Sequence, residues 1–69
     1  MKVHAGIVEL TLALQRAPSW FVARSIVAVT PSDDPFNRGG AHIEMHGGGG
    51  YEVLEAPPEV MVLIEKAMA

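Results

Sequence analysis

His42, Glu44 and His46 alternate with Ile43 and Met45 directly ahead of four consecutive glycines, Gly47 to Gly50. Histidines four apart share one face of a helix and hold zinc in the H-E-x-x-H pattern, where the acid follows the first histidine. Here the acid stands midway and the glycines forbid a helical continuation. On a strand the two histidines also share a face, but at ~3.3 Å per residue they lie ~13 Å apart, too far to ligate one ion. A zinc or nickel site would need His4 to join one of them across a sheet. The expected role of the trio is the solvated polar face of a half-buried hairpin.

The other chemistry-bearing residues read the same way. Asp33, Asp34 and Asn37 do not meet the calcium-loop spacing of alternating acids, a glycine and a distal glutamate. Adjacent aspartates in such a segment are expected to cap a turn through nearby backbone N–H groups. The four glycines precede Tyr51-Glu52-Val53, not a helix, and no base follows them, so they lack the context of a phosphate cradle. Ser19, Ser25 and Ser32 lack an activating neighbour in sequence. Glu9, Glu44, Glu52, Glu55 and Glu59 give no acid/base pattern. With no cysteine, thiol catalysis, disulfides, Cys-based zinc and iron–sulfur chemistry are all excluded. The expectation is a protein that is not an enzyme and has no cofactor or metal.

Binding residues remain. Trp20 and Phe21 are adjacent on a β-prone run, so they point to opposite faces and one can be core while the other is an exposed interface anchor. The alternative is that both are core, the second being covered by the chain ends. Phe36 and Arg38, from the longest irregular segment, join Trp20 and Phe21 as candidate partner-binding residues. Lys2, Arg16, Arg24, Arg38 and Lys66 are scattered through a chain of net charge −3. Phosphate-backbone binding draws on concentrated positive charge. Nucleic acid is therefore not the expected partner, unless a dimer gathers Arg16, Arg24 and Arg38 on one surface.

The elements that must position these groups follow from periodicity. Val8, Leu10, Leu12 and Leu14 alternate with Glu9, Thr11, Ala13 and Gln15, which favours a half-buried strand. A helix competes over residues 7–15, because Leu, Ala, Glu and Gln are good helix formers and Ile7, Leu10 and Leu14 share a helical face. In either case Pro18 is expected to end the element. Trp20-Phe21-Val22 and Ser25 to Thr30 are β-prone by side-chain type, with Ala23-Arg24 as a turn or bend between them. In the second run Ile26 and Ala28 are expected on one face and Val27 and Val29 on the other. Residues 31–40, PSDDPFNRGG, form a loop. Residues 42–46 and 51–54 bracket the glycines as a β-hairpin, whose turn needs positive φ. A helix then starts at the Pro57-Pro58 pair with Glu59 in its first turn and Lys66 near its end. Val60, Leu63, Ile64 and Ala67 make its apolar stripe, flanked by Met61 and Met68.

The runs Ile26-Val27-Ala28-Val29-Thr30-Pro31 and Gly50-Tyr51-Glu52-Val53-Leu54-Glu55, continued by Glu59-Val60 and Ile64, resemble the FlbD family. These are small flagellar and swarming-associated proteins, with similar small proteins in bacterial and phage genomes. The resemblance covers roughly residues 20–64 and rests on folding signals. It implies short strands closed by one C-terminal helix and a non-enzymatic role, with no catalytic residues to carry over. Here the 31–40 loop is longer, the turn is all glycine, the prolines are paired, and Gln15-Arg16-Ala17-Pro18 stands where the family carries a glycine turn.

Sixty-nine residues make one domain, 1–69, near the lower size limit for folding alone. Apolar residues are 49% of the chain and the mean hydropathy is +0.25, high for so small a domain, so a homodimer or a partner is expected to cover part of the surface. Lys2 and the apolar run after it invite a signal-peptide reading, but Glu9 and Thr11 interrupt the run. No apolar stretch reaches the ~18–20 residues that span a bilayer, so the expectation is a cytoplasmic protein away from membranes. The expected fold is α+β: a small antiparallel sheet of four or five strands with one C-terminal helix on one face. The expected function is a protein–protein interaction module, a small regulator or accessory factor of bacterial or phage origin that can inhibit a host protein by covering its surface. The alternatives are a dimeric nucleic-acid-binding regulator and a histidine-dependent metal-binding protein.

Overall fold

A computed structural model describes residues 3–69; Lys2 lies outside them. The strands are β1 (Val3–His4), β2 (Ile7–Leu12), β3 (Ala17–Val22), β4 (Ile26–Pro31), β5 (Ala41–Met45) and β6 (Gly50–Val53), and α1 (Pro57–Met68) closes the chain. All pairings are antiparallel. The fold is α+β as expected, with the two-residue β1 as an additional strand, too short for any periodicity to announce it.

β2 is the hub. One of its edges carries β3 along its whole length, and the other carries β1 at the start and β6 at Leu12, which pairs with Val53. From β6 the sheet continues through β5 to β4. Serving three neighbours forces the sheet to curl around its inner face. Val8 and Leu10 of β2, Phe21 of β3, Ala41 and Ile43 of β5 and Val53 of β6 fill that face. α1 covers it with Val60, Leu63 and Ala67, and Ile64 packs at the margin. The 12-residue helix is too short to hold its shape without this packing. Pro57 and Pro58 occupy its first two positions, where an N–H would have no helical partner. Phe21 and Tyr51 meet edge to face, ring centroids 5.2 Å apart, across the curl.

The hairpin from β5 to β6 turns as its glycines require. Gly47 and Gly48 have φ of +97° and +100°, and the Met45 N–H donates to the Gly49 carbonyl at 2.7 Å.

Two expectations need correction. Pro18 does not end an element; it sits inside β3, opposite Thr11. Main-chain hydrogen bonds explain why it is tolerated. Thr11 points its N–H to Glu55 and its carbonyl to the Leu54 N–H, both 2.9 Å and both on the side away from β3. Thr11 and Pro18 are therefore a non-hydrogen-bonded pair, and the proline nitrogen faces the outer edge, where the ladder needs no donor. The true reversal is residues 13–16, with Arg16 at φ +53° and its N–H bonded to the Leu12 carbonyl at 2.8 Å. The second correction concerns β4, where the register shifts between Ile26 and Ala28. This bulge breaks the simple alternation, so Ile26 and Val29 both pack against the core while Val27 is exposed.

Candidate interaction surface

The polar residues of the 31–40 loop and the β5–β6 hairpin converge on one carboxylate. Ser32 donates its hydroxyl to Glu52 Oε1, and Asn37 Nδ2 donates to the same oxygen at 3.1 Å. His42 Nδ1 donates to Glu52 Oε2 at 2.7 Å, and Asn37 also bonds the Val53 carbonyl at 3.0 Å. The Ser32 hydrogen bond chiefly, then those from Asn37 and His42, outweighs partial burial and holds the Glu52 carboxyl below its ordinary value of 4.5. Asp34 accepts the Phe36 N–H at 2.9 Å, the turn-capping role expected of the aspartates.

This network has a serine, a histidine and a glutamate, yet its order is that of a tether. A nucleophilic triad bonds serine to histidine and histidine to the acid. Here serine and histidine each bond the acid, which fixes the loop to the sheet. Gly40 completes the attachment, because a Cβ there would lie 2.4 Å from both Asn37 Oδ1 and the Val53 carbonyl oxygen. Elsewhere Glu55 is buried and accepts both the N–H and the hydroxyl of Thr11, each at 2.9 Å, pinning the start of the helix segment to β2. Among the described residues, no three His, Cys, Asp or Glu side chains gather in a metal-binding group. His42 is committed to Glu52 and His46 is exposed at the hairpin tip.

The four residues expected at a partner surface separate. Phe21 belongs to the core, 6% exposed, because the inward face of β3 is the one that meets Val8 and Tyr51; it is no surface anchor. Trp20 points outward and is 63% exposed. Phe36 is 95% exposed at the tip of the loop, and Arg38 is exposed further along it. Phe36 lines a cleft of about 510 Å3 with Leu14, Arg16 and Asp34, and Leu14 is itself 90% exposed. Arg16 and Arg24 sit at opposite ends of the six-residue β3, roughly 20 Å apart at strand spacing, so one copy of the chain does not gather the arginines.

Val22, two residues beyond Trp20 and on the same outer face, was not singled out by sequence; the strand period was the signal that marks it. It lines a groove of about 470 Å3 with Ile7, Arg24 and Met68. Trp20, Val22, Ile7 and Met68 thus form an apolar area beside the outer edge of β3. A further groove, lined by Ile26, Val27, Val29, Met61 and Ile64, lies between β4 and α1. Among the described residues, no helix is long and apolar enough to cross a membrane. Comparison with known proteins finds no matching family model, no matching curated protein and no matching solved structure.

Proposed function

We propose that this protein is a non-enzymatic protein–protein interaction module, a small cytoplasmic regulator or accessory factor of bacterial or phage origin. It docks through the outer face of β2 and β3 around Trp20 and acts by occupying a protein surface, self-association included. The observation that carries this reading is an exposed tryptophan beside exposed Val22 at a sheet edge that has no neighbouring strand among the described residues. Tryptophan is the side chain most enriched at energetic hot spots, and its large apolar area is costly to leave in water. The FlbD-like run of strand, turn and helix supports the bacterial or phage setting. The tether on Glu52 supports a binding role for the loop as well, since it fixes the segment that displays Phe36 and Arg38.

The test is photo-crosslinking from position 20 in cells, followed by mass spectrometry and calorimetry with the purified partner. A partner whose affinity drops at least about tenfold with Trp20→Ser, with the fold intact by circular dichroism, is the expected result. Unchanged affinity for every crosslinked protein would remove the Trp20 face from the function.

A further inference from the structure

Among the described residues the strands at the margins of the sheet are the two-residue β1 and the longer β3 and β4, and the hydrogen-bonding groups of the two long edges are not equivalent. On β4, the Ser32 N–H bonds the Gly40 carbonyl at 3.1 Å, which sets the ladder phase. Thr30 and Ala28 then turn their main-chain groups toward β5, while Val29 and Pro31 turn theirs outward. Pro31 has no N–H, the bulge interrupts the edge at Val27, and the Ile26 N–H is taken by the Ala23 carbonyl. Only Val29 offers both a donor and an acceptor. This edge is blunted.

On β3 the phase is fixed from both ends. Ala23 donates to the Gly6 carbonyl at 2.8 Å, and Thr11 faces away from Pro18 as described. Val22, Trp20 and Pro18 therefore turn their main-chain groups outward. Trp20 presents an N–H and a carbonyl beyond the sheet and Val22 its N–H; the Val22 carbonyl already accepts the Ser25 N–H, the first bond of the 3-10 turn at Ala23–Ser25, and Pro18 presents a carbonyl alone. The open stretch is short and bounded.

We propose that this edge pairs with a second copy of the same chain, antiparallel, with Trp20 of each copy opposite Val22 of the other. The inference rests on the reading of the Trp20 face as a docking surface and names its occupant. In this register each Val22 N–H meets the partner's Trp20 carbonyl, each Trp20 N–H shares the partner's Val22 carbonyl with the Ser25 N–H of that copy, and both prolines fall outside the paired stretch. Directly opposite residues share a face, so Trp20 of each copy packs on the partner's Val22, an aromatic–β-branched pair made twice. The charges also match. Arg24 follows β3 and lines the groove with Val22, and Glu9 pairs with Trp20 on the same outer face. In this register Arg24 falls opposite the partner's Pro18, with the partner's Glu9 one strand further on and ~12 Å away between Cα atoms, within reach of an extended arginine and opposite in sign. So short an edge buries less than the ~800 Å2 per partner of a standard interface, and the dimer is accordingly weak.

Sedimentation velocity over a concentration series, with the emission of Trp20 followed in parallel, tests this. Trp20 is the only tryptophan. The wild-type mass is expected to climb from 7.4 kDa toward twice that value, with emission moving to the blue in step. Val22→Pro is the decisive variant. Val22 has φ of −73°, which proline adopts, and its N–H points away from β2, so the change removes the pairing donor and spares the β2–β3 ladder. Dimerisation is expected to weaken at least about tenfold, while Val62→Ala, at an exposed position of α1, leaves it unchanged. Should Val22→Pro unfold by circular dichroism, Trp20→Lys, confined to the outer face, takes its place with the same expectation. A wild type monomeric at about 1 mM, or a folded Val22→Pro that dimerises as wild type does, overturns the proposal. If the wild type is monomeric while Trp20 still crosslinks a different protein with Trp20-dependent affinity, the self-pairing fails and the docking surface stands. If neither occurs, both fail.

Discussion

Gly40→Ala gives the sharpest test of how the 31–40 loop is held. A Cβ at this position would stand 2.4 Å from Asn37 Oδ1 and from the Val53 carbonyl oxygen, and 2.6 Å from Asn37 Nδ2. Ordinary contacts there need about 1 Å more. Val53 is a fully buried residue of β6, paired with Ala41 on one side and Leu12 on the other, so its carbonyl has no freedom to retreat. The Gly40 backbone must therefore draw back from that carbonyl and Asn37 must move with it, so Asn37 gives up its hydrogen bonds to Glu52 and to Val53. A bond to a charged acceptor is worth about 1.5–3 kcal/mol and one to a carbonyl about 0.5–1.5 kcal/mol, so the loss is about 2–4.5 kcal/mol. With a urea slope of about 1 kcal/mol/M for a chain this small, the midpoint falls by roughly 2–4.5 M. Far-UV circular dichroism is the right probe, since Trp20 is already exposed in the folded state and its emission is a poor reporter of unfolding. Gly49→Ala is the control, because a Cβ there meets nothing nearer than Tyr51 at 3.8 Å. A Gly40→Ala midpoint within 0.5 M (roughly 0.5 kcal/mol) of wild type would refute the steric argument.

The remaining predictions concern the same framework. Glu52 is held below its ordinary value in the fold, so the unfolded chain takes up its proton first as pH falls; the stability it adds is complete above about pH 4.5 and is lost as pH drops through the lower folded value. Glu52→Gln should flatten that part of the stability–pH curve in urea titrations at pH 6 and pH 3.5, and an unchanged slope would count against the tether. Thr11→Val removes one hydroxyl donor to Glu55 and should cost about 1.5–3 kcal/mol by thermal unfolding; a neutral change would show that the backbone bond suffices. Arg16 holds a left-handed conformation at φ +53°, so Arg16→Gly should stabilise by about 1 kcal/mol and raise Tm by about 4–8 °C, an expectation undone by a lower Tm.

The hairpin of β5 and β6 and the final helix were legible in sequence because their signals are local. Alternation, glycines and an N-terminal proline pair each state their own geometry over a few residues. Pro18 misled for a physical reason: whether a proline breaks a strand depends on which side its nitrogen faces, and that is decided by Glu55 and Leu54, far along the chain. Val27 likewise carried no mark of the bulge that turns Ile26 and Val29 to the same face. Of the candidate binding residues, Trp20 and Phe21 were readable as pointing to opposite faces, but not which ring is core nor whether the other stays in water. The Glu52 tether escaped notice because its donors lie 10, 15 and 20 residues away, and acid, amide, imidazole and hydroxyl each look ordinary alone.

The inequality of the two sheet edges has a consequence for how many copies can join. Were β3 and β4 equally open, the β3 of one copy could add to the β4 of the next. Such head-to-tail contacts leave a fresh edge at every step and grow into a filament. Pro31 and the bulge at Val27 deny that second edge a usable ladder. In the proposed dimer, pairing through β3 would consume the matching edge of both copies at once. One proline and one extra residue on β4 would then hold that assembly at two copies.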